Sequence, residues 1–222
     1  MGFLETSAEY FIRGGLCMWP LLLCSLAVVF LAVERGIYYK QKISKTEFAV
    51  EFCEKMTRGQ IEEAYDLAVS SVGYAAKLAK DILDKRENLG SSLASVTYEK
   101  TDRYLNRLSE HLDYLGVIIG LSPMLGLLGT ITGMMSTFSS MTGQLQNTAG
   151  VTAGLAEALI TTIFGLIIAI VAMLVHAYLM GEYKKADLDL NSVADALVSS
   201  LSERQTHIRE GGNELKIKHR SL

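Results

Sequence analysis

Glu157 is the residue best placed to do chemistry in this chain, because it stands inside an apolar segment. Residues 154–174 read GLAEALITTIFGLIIAIVAML, and no ionisable residue follows Glu157 until His176. A run this long reads as a membrane-spanning helix. A carboxylate in such a helix costs about 2.5–3.5 kcal/mol on insertion scales, and is tolerated where it faces a bundle interior or a wet cavity. The chemistry open to it there is proton or ion transfer. The alternative is a carboxylate at the membrane edge that reaches into headgroups, since the polar connector 139–152 is only a turn or two away.

Three hydroxyls accompany it: Thr130 in the preceding apolar segment, and the pair Thr161 and Thr162. A threonine in a membrane helix commonly bonds its own backbone one turn back. Exposed to a lumen, the same hydroxyl can hydrate an ion or relay a proton. At 100° per residue Thr161 lies about 40° from Glu157 and Thr162 about 140° away. On an ideal helix only Thr161 shares the face of the carboxylate. Thr162 joins it if the helix bends or if Glu157 sits at a subunit boundary.

Small residues surround these groups. Gly126, Gly129 and Gly133 mark one face on which another backbone can approach closely; Gly116 and Gly120 precede them. Gly154, Ala158, Thr161, Gly165, Ala169 and Ala172 form a second such face. This is small-xxx-small packing, and it predicts a tightly packed multi-helix assembly. Pro123 removes one backbone N–H and is expected to bend its helix.

These residues require spans to hold them. Residues 16–33 are uncharged and close on Glu34-Arg35, and residues 115–138 are uncharged too. With the Glu157 segment this predicts three helices, each able to cross about 30 Å of hydrocarbon. The first reads as a retained span, because its positive flank follows the apolar run and no small-x-small cleavage pattern is present. Basic residues cluster at Arg35, Lys40, Lys42 and Lys45, at Lys100, Arg103 and Arg107, and at Lys184 and Lys185. The N-terminal arm has only Arg13, and the connector has none. The positive-inside rule then puts the long middle segment and the tail in the cytoplasm, and the N-terminus and connector outside.

The resulting plan is an all-α, three-span integral membrane protein with long cytoplasmic helical extensions. It has a periplasmic arm (1–14), first span (15–36), cytoplasmic segment (37–112), second span (113–139), periplasmic connector (140–152), third span (153–180) and cytoplasmic helix and tail (181–222). Half of the 222 residues are hydrophobic, a fifth are charged, and only two are proline, which suits a helical chain divided between membrane and water. In the middle segment Phe48, Phe52, Met56 and Ile61 give an apolar stripe broken at Gly59, and Ala64, Leu67 and Ala68 continue it. Gly73 and Asn88-Leu89-Gly90 are turn signals. Ser91 or Ser92 can cap a helix carrying Leu93, Val96, Lys100, Tyr104, Arg107 and Leu108, which can continue unbroken into the second span. Beyond the third span Leu188, Val193, Leu197 and Leu201 predict a further amphipathic helix, with Gly211-Gly212 breaking the tail before a disordered end.

Cys17, Cys24 and Cys53 form neither a pairing framework nor a metal spacing, and read as small packing residues. His111, His176, His207 and His219 are scattered. No nucleotide loop, nucleophile constellation, metal site, cofactor site or nucleic-acid-binding feature is expected, so the chain reads as a non-enzyme.

LGLLGTITGMM (125–135) followed by GLAEALITTIFGL (154–166) closely resembles the MotA/TolQ/ExbB proton-channel family. The three-span layout, the long segment after the first span and the Glu34-Arg35 exit resemble its ExbB/TolQ branch. The resemblance implies a homo-oligomer, a pentamer, set in lipid around the helices of an ExbD- or TolR-like single-span partner. It implies that Thr130 and Thr162 face the lumen with Glu157, with Thr161 as the fallback. It also implies a proton-motive-force motor of the inner membrane that drives a TonB- or TolA-like transducer. The family often has a proline in the third span where this chain has Val171. The alternatives are the same motor serving motility or defence, and a proton-coupled secondary transporter.

Overall fold

The computed structural model describes residues 17–141 and 148–220, with the side chains of 139–153, Glu157 and 204–220 excepted. The described residues form α1 (Met18–Lys42), α2 (Thr46–Thr57), α3 (Ile61–Ser70), α4 (Tyr74–Asp84) and α5 (Arg86–Leu89). A 3-10 turn (Gly90–Ser92), α6 (Leu93–Ser109), α7 (Leu112–Met141) and α8 (Thr148–Arg220) follow. No strand occurs among the described residues. Three of the described helices are long and apolar enough to cross a membrane. The N-terminal arm and residues 142–147 of the connector lie outside the described residues; the rest of the connector belongs to α7 and α8.

The chain divides into two compact units, residues 1–35 with 111–180 and residues 36–110 with 181–222. The first turns large apolar side chains outward: Leu23, Phe30, Met135 and Leu174 are each about two-thirds exposed. Its buried residues mix small or polar ones, Ser122, Ala158, Thr161 and Ala172, with the large apolar Leu21, Leu112, Leu115 and Leu179. Helices in lipid gain nothing by hiding leucine from one another, so they associate where small residues let backbones close up. Leu112, Leu115, Ile118, Ser122, Gly126 and Gly129 are the buried stripe of α7, at three- and four-residue intervals. The α7 helix runs through Pro123 and α8 through Val171 without a break in either.

The second unit has an ordinary core. Phe52, Met56, Leu78, Ile82 and Leu108 meet Leu190, Val193 and Leu197 there, all at most 1% exposed. Phe48 stacks on Phe52 and Tyr74 on Tyr104, with centroids 5.6 and 4.6 Å apart. Tyr38 bonds Tyr74 through their hydroxyls at 2.6 Å, and Tyr39 donates to Leu108 O at 2.7 Å. Gly73 supplies a turn closed to other residues. Its φ is +117°, and a Cβ there would stand 2.5 Å from the backbone nitrogen of Ser44. Burial raises the Asp189 carboxyl above the usual carboxylate range, against the opposing pull of the Thr46 hydroxyl that bonds it at 3.2 Å. Burial, with Asp189 and Asp195 nearby, raises the Cys53 thiol, which keeps it in its unreactive form.

Four expectations change. The helix from residue 93 does not continue into α7: Glu110 is extended and His111 is left-handed, with φ 70°. Ser92 holds the N-cap position of α6 without a side-chain cap bond. The buried face of α6 uses Thr97 and Thr101 rather than Val96, Lys100 and Arg107. Their hydroxyls donate to Leu93 O (2.7 Å) and Thr97 O (3.0 Å), which removes the cost of burying them. At the C-terminal end α8 continues to Arg220 through Gly211-Gly212 with no separate helix after the span. Glycine costs a helix only about 1 kcal/mol per residue. Ala186, Leu190 and Ala194 complete its buried stripe, and Leu188 is 67% exposed.

Candidate functional site: a hydroxyl pair on a glycine seam

The two small-residue faces meet each other within one chain. A Cβ added to Gly126 would lie 3.0 Å from Thr162 Cα and 3.2 Å from Thr161 O. One added to Gly133 would lie 3.0 Å from Ala158 Cβ, and one added to Gly165 would lie 2.5 Å from Ser122 O and 3.2 Å from Gly126 Cα. At Gly129 the neighbours are Thr161 Cβ (2.9 Å) and Cys17 Cβ (3.3 Å). A Cβ would clash at Gly129 and Gly165 and would be tight at Gly126 and Gly133. Gly116 and Gly120 face open space and take no part in the seam.

This approach brings Thr130 and Thr162 together. Their hydroxyl oxygens are hydrogen-bonded to each other. Thr162 Oγ1 also lies 3.0 Å from Gly126 O, and Thr130 Oγ1 lies 3.2 Å from Gly126 O and 3.4 Å from Ala158 O. Each hydroxyl has one proton to give. The pair thus shares two protons among the carbonyls of Gly126 and Ala158 and one another's oxygens. A threonine that only bonded its own backbone would stop at Gly126 O. Here the bond also crosses from α7 to α8.

Thr161 is different. It is fully buried, with its methyl side against Gly129, so it fills the seam. The neighbouring face therefore belongs to the helix contact, and Thr162 stands at its edge. Glu157 lies on α8 immediately before Ala158, which is fully buried against Gly133; its carboxyl lies outside the described residues. Among the described residues no group of three or more His, Cys, Asp or Glu could hold a metal ion.

A second polar cluster has no signal in the sequence beyond Glu34-Arg35. His111 Nδ1 lies 2.7 Å from Arg35 Nη2 and 3.3 Å from Glu34 Oε2. Its members are 76 and 77 residues apart in the chain, so spacing could not reveal it.

Removing the crossing bond tests the pair. Thr162→Val keeps the shape and deletes the hydroxyl. It is expected to reduce proton-dependent activity while expression and assembly stay near normal, whereas Thr161→Val is expected to matter less. The comparison is read as activity per assembled complex in lipid. A larger effect at Thr161 would reassign the working hydroxyl.

A helical membrane bundle with apolar outer faces, and a cross-helix hydroxyl pair on a seam of glycines, defines the class: a multi-pass membrane protein with polar groups held inside the bundle. Residues 71–192, just over half the chain, match the MotA/TolQ/ExbB proton channel family. The chain belongs to that family. It is similar to an ExbB-like protein of Synechocystis sp., with 27% identity covering 96% of this chain and 79% of the relative. It is similar to the biopolymer transport protein exbB1 of Vibrio cholerae, with 31% identity and 72% of each chain covered. It also resembles the Tol-Pal system protein TolQ of Haemophilus influenzae, with 32% identity over 45% of this chain and 44% of the relative.

Proposed function

We propose that the chain is the channel subunit of a motor of the bacterial inner membrane driven by the proton-motive force. Copies of it, five in the closed ring, surround the helices of a single-span ExbD- or TolR-like partner. Glu157, Thr130 and Thr162 line the proton path. The output reaches a TonB- or TolA-like transducer.

The observation that carries this reading is the Thr130–Thr162 pair. Two hydroxyls that sequence and resemblance single out separately are bonded across the α7–α8 seam. A hydroxyl pair passes a proton by accepting on one side and donating on the other, without itself ionising. Glu157, five residues before Thr162 in the sequence, supplies a group that can be loaded and unloaded. Such a subunit needs no cofactor.

Co-purification with the product of a neighbouring gene tests the assembly. A single-span protein with an aspartate in its membrane helix is expected, at a stoichiometry countable by native mass spectrometry. A soluble solute-binding protein in its place would turn the reading toward a transporter.

Orientation is tested separately. In a background without native cysteines, Gly143→Cys is expected to react with an impermeant thiol reagent from outside, and Lys77→Cys is not. The reverse pattern would overturn the topology and the motor reading with it.

A further inference from the structure

His111 presents one ring nitrogen to both a guanidinium and a carboxylate. Arg35 Nη2 lies 2.7 Å from Nδ1, and Glu34 Oε2 lies 3.3 Å from the same atom. Glu34 Oε1 is 3.7 Å from Arg35 Nη2. The Arg35 side chain is 3% exposed, while those of Glu34 and His111 are each 34% exposed. The guanidinium is buried, and the two groups that can exchange protons are partly exposed on the single chain.

A guanidinium can only donate and an ionised carboxylate can only accept. The contact with Arg35 therefore requires a lone pair on Nδ1 and places the ring proton on Nε2. A bond to Glu34 requires a proton on Nδ1. One nitrogen cannot do both, and the shorter contact belongs to the neutral ring bonded to Arg35. We propose that His111 is a proton-exchange site whose occupancy selects its partner. Empty, Nδ1 accepts from Arg35. Loaded with a proton from water, Nδ1 donates to Glu34, and the imidazolium repels Arg35.

The surroundings bear on both states. Glu34 and Arg35 face the ring from α1, and the Tyr114 ring flanks it with centroids 5.7 Å apart. Arg107 and Glu110 precede it in sequence and Asp113 follows. His111 has φ 70°, a conformation that a non-glycine residue keeps only where its surroundings impose it. It stands immediately before the first turn of α7. A change of partner therefore reseats the start of that helix against Glu34 and Arg35 of α1.

Histidine is the side chain whose ordinary titration falls between pH 5 and 8, so the exchange is accessible to solid-state NMR of the full chain, 15N-labelled at histidine, in lipid bilayers. The His111 signal is assigned by its loss in His111→Asn, which keeps an acceptor for Arg35 and tolerates the left-handed backbone. Over a pH series an unprotonated Nδ1 is expected at the alkaline end and a doubly protonated ring at the acid end. At the pH where the parent shows both states, the doubly protonated fraction is expected to fall in Glu34→Gln, which removes the acceptor, and to rise in Arg35→Gln, which removes the repelling charge. A neutral Nδ1–H tautomer at the alkaline end, one unchanged state across the series, or shifts of the same sign in the two variants would each overturn the proposal.

Discussion

Replacing Glu157 by glutamine is expected to remove most or all proton-driven work and to leave the complex assembled. Glutamine matches the size of glutamate and keeps some of its hydrogen bonding. It cannot take up or release a proton. The position is on a helix whose next residue, Ala158, is fully buried against Gly133, so the backbone there is fixed by packing that the substitution leaves alone. On the proposed reading this position takes up and releases a proton in each turnover, which glutamine cannot do. Glu157→Asp is expected to keep partial function where the shorter side chain still reaches its partner. The assay is activity dependent on the proton-motive force in cells lacking the native gene, with assembly followed by native mass spectrometry. Full activity of the glutamine variant would reduce Glu157 to an interfacial residue and leave the partner's own acid to carry the protons.

The second large effect is expected at Gly129. Its Cβ position already lies 2.9 Å from Thr161 Cβ and 3.3 Å from Cys17 Cβ, so leucine there drives α7 off both neighbours. Inserting methylenes into a packed interior costs about 1–3 kcal/mol and often more. Because the contact lies within one chain, the damage falls on the folded subunit before any oligomer. Gly129→Leu is expected to give little monodisperse protein on size exclusion. Gly116→Ala adds its methyl to open space and is expected to stay within about 0.5 kcal/mol of the parent. Normal yield and assembly of Gly129→Leu would mean that the seam opens freely.

These contacts mark what the chain discloses and what it withholds. The spans were legible because an uncharged run of hydrophobic residues has few other uses, and the glycine faces because small residues recur at helical spacing. That the two faces meet each other was not legible, since periodicity names a face and not its partner. The choice between Thr161 and Thr162 stayed open for a related reason. An ideal helix measures angles from Glu157, whereas the hydroxyl bond is set by which residue reaches Gly126 O across the seam. The break at Glu110 and His111 left no trace, because neither residue is glycine or proline. Thr97 and Thr101 were passed over as core residues because the bonds that permit their burial go to their own backbone. Leu188 misled for the opposite reason, as an apolar residue left on the outer side of α8.

The proton count at the seam carries a consequence for direction. Thr130 and Thr162 hold two hydroxyl protons between them, and more acceptor positions than protons surround the pair. Either hydroxyl can satisfy Gly126 O while the other turns toward its neighbour. The two are not equivalent, because Thr130 also reaches Ala158 O. If the pair lies on the proposed proton path, reversing which hydroxyl donates lets it pass a proton either way, so rectification would have to come from groups outside the pair.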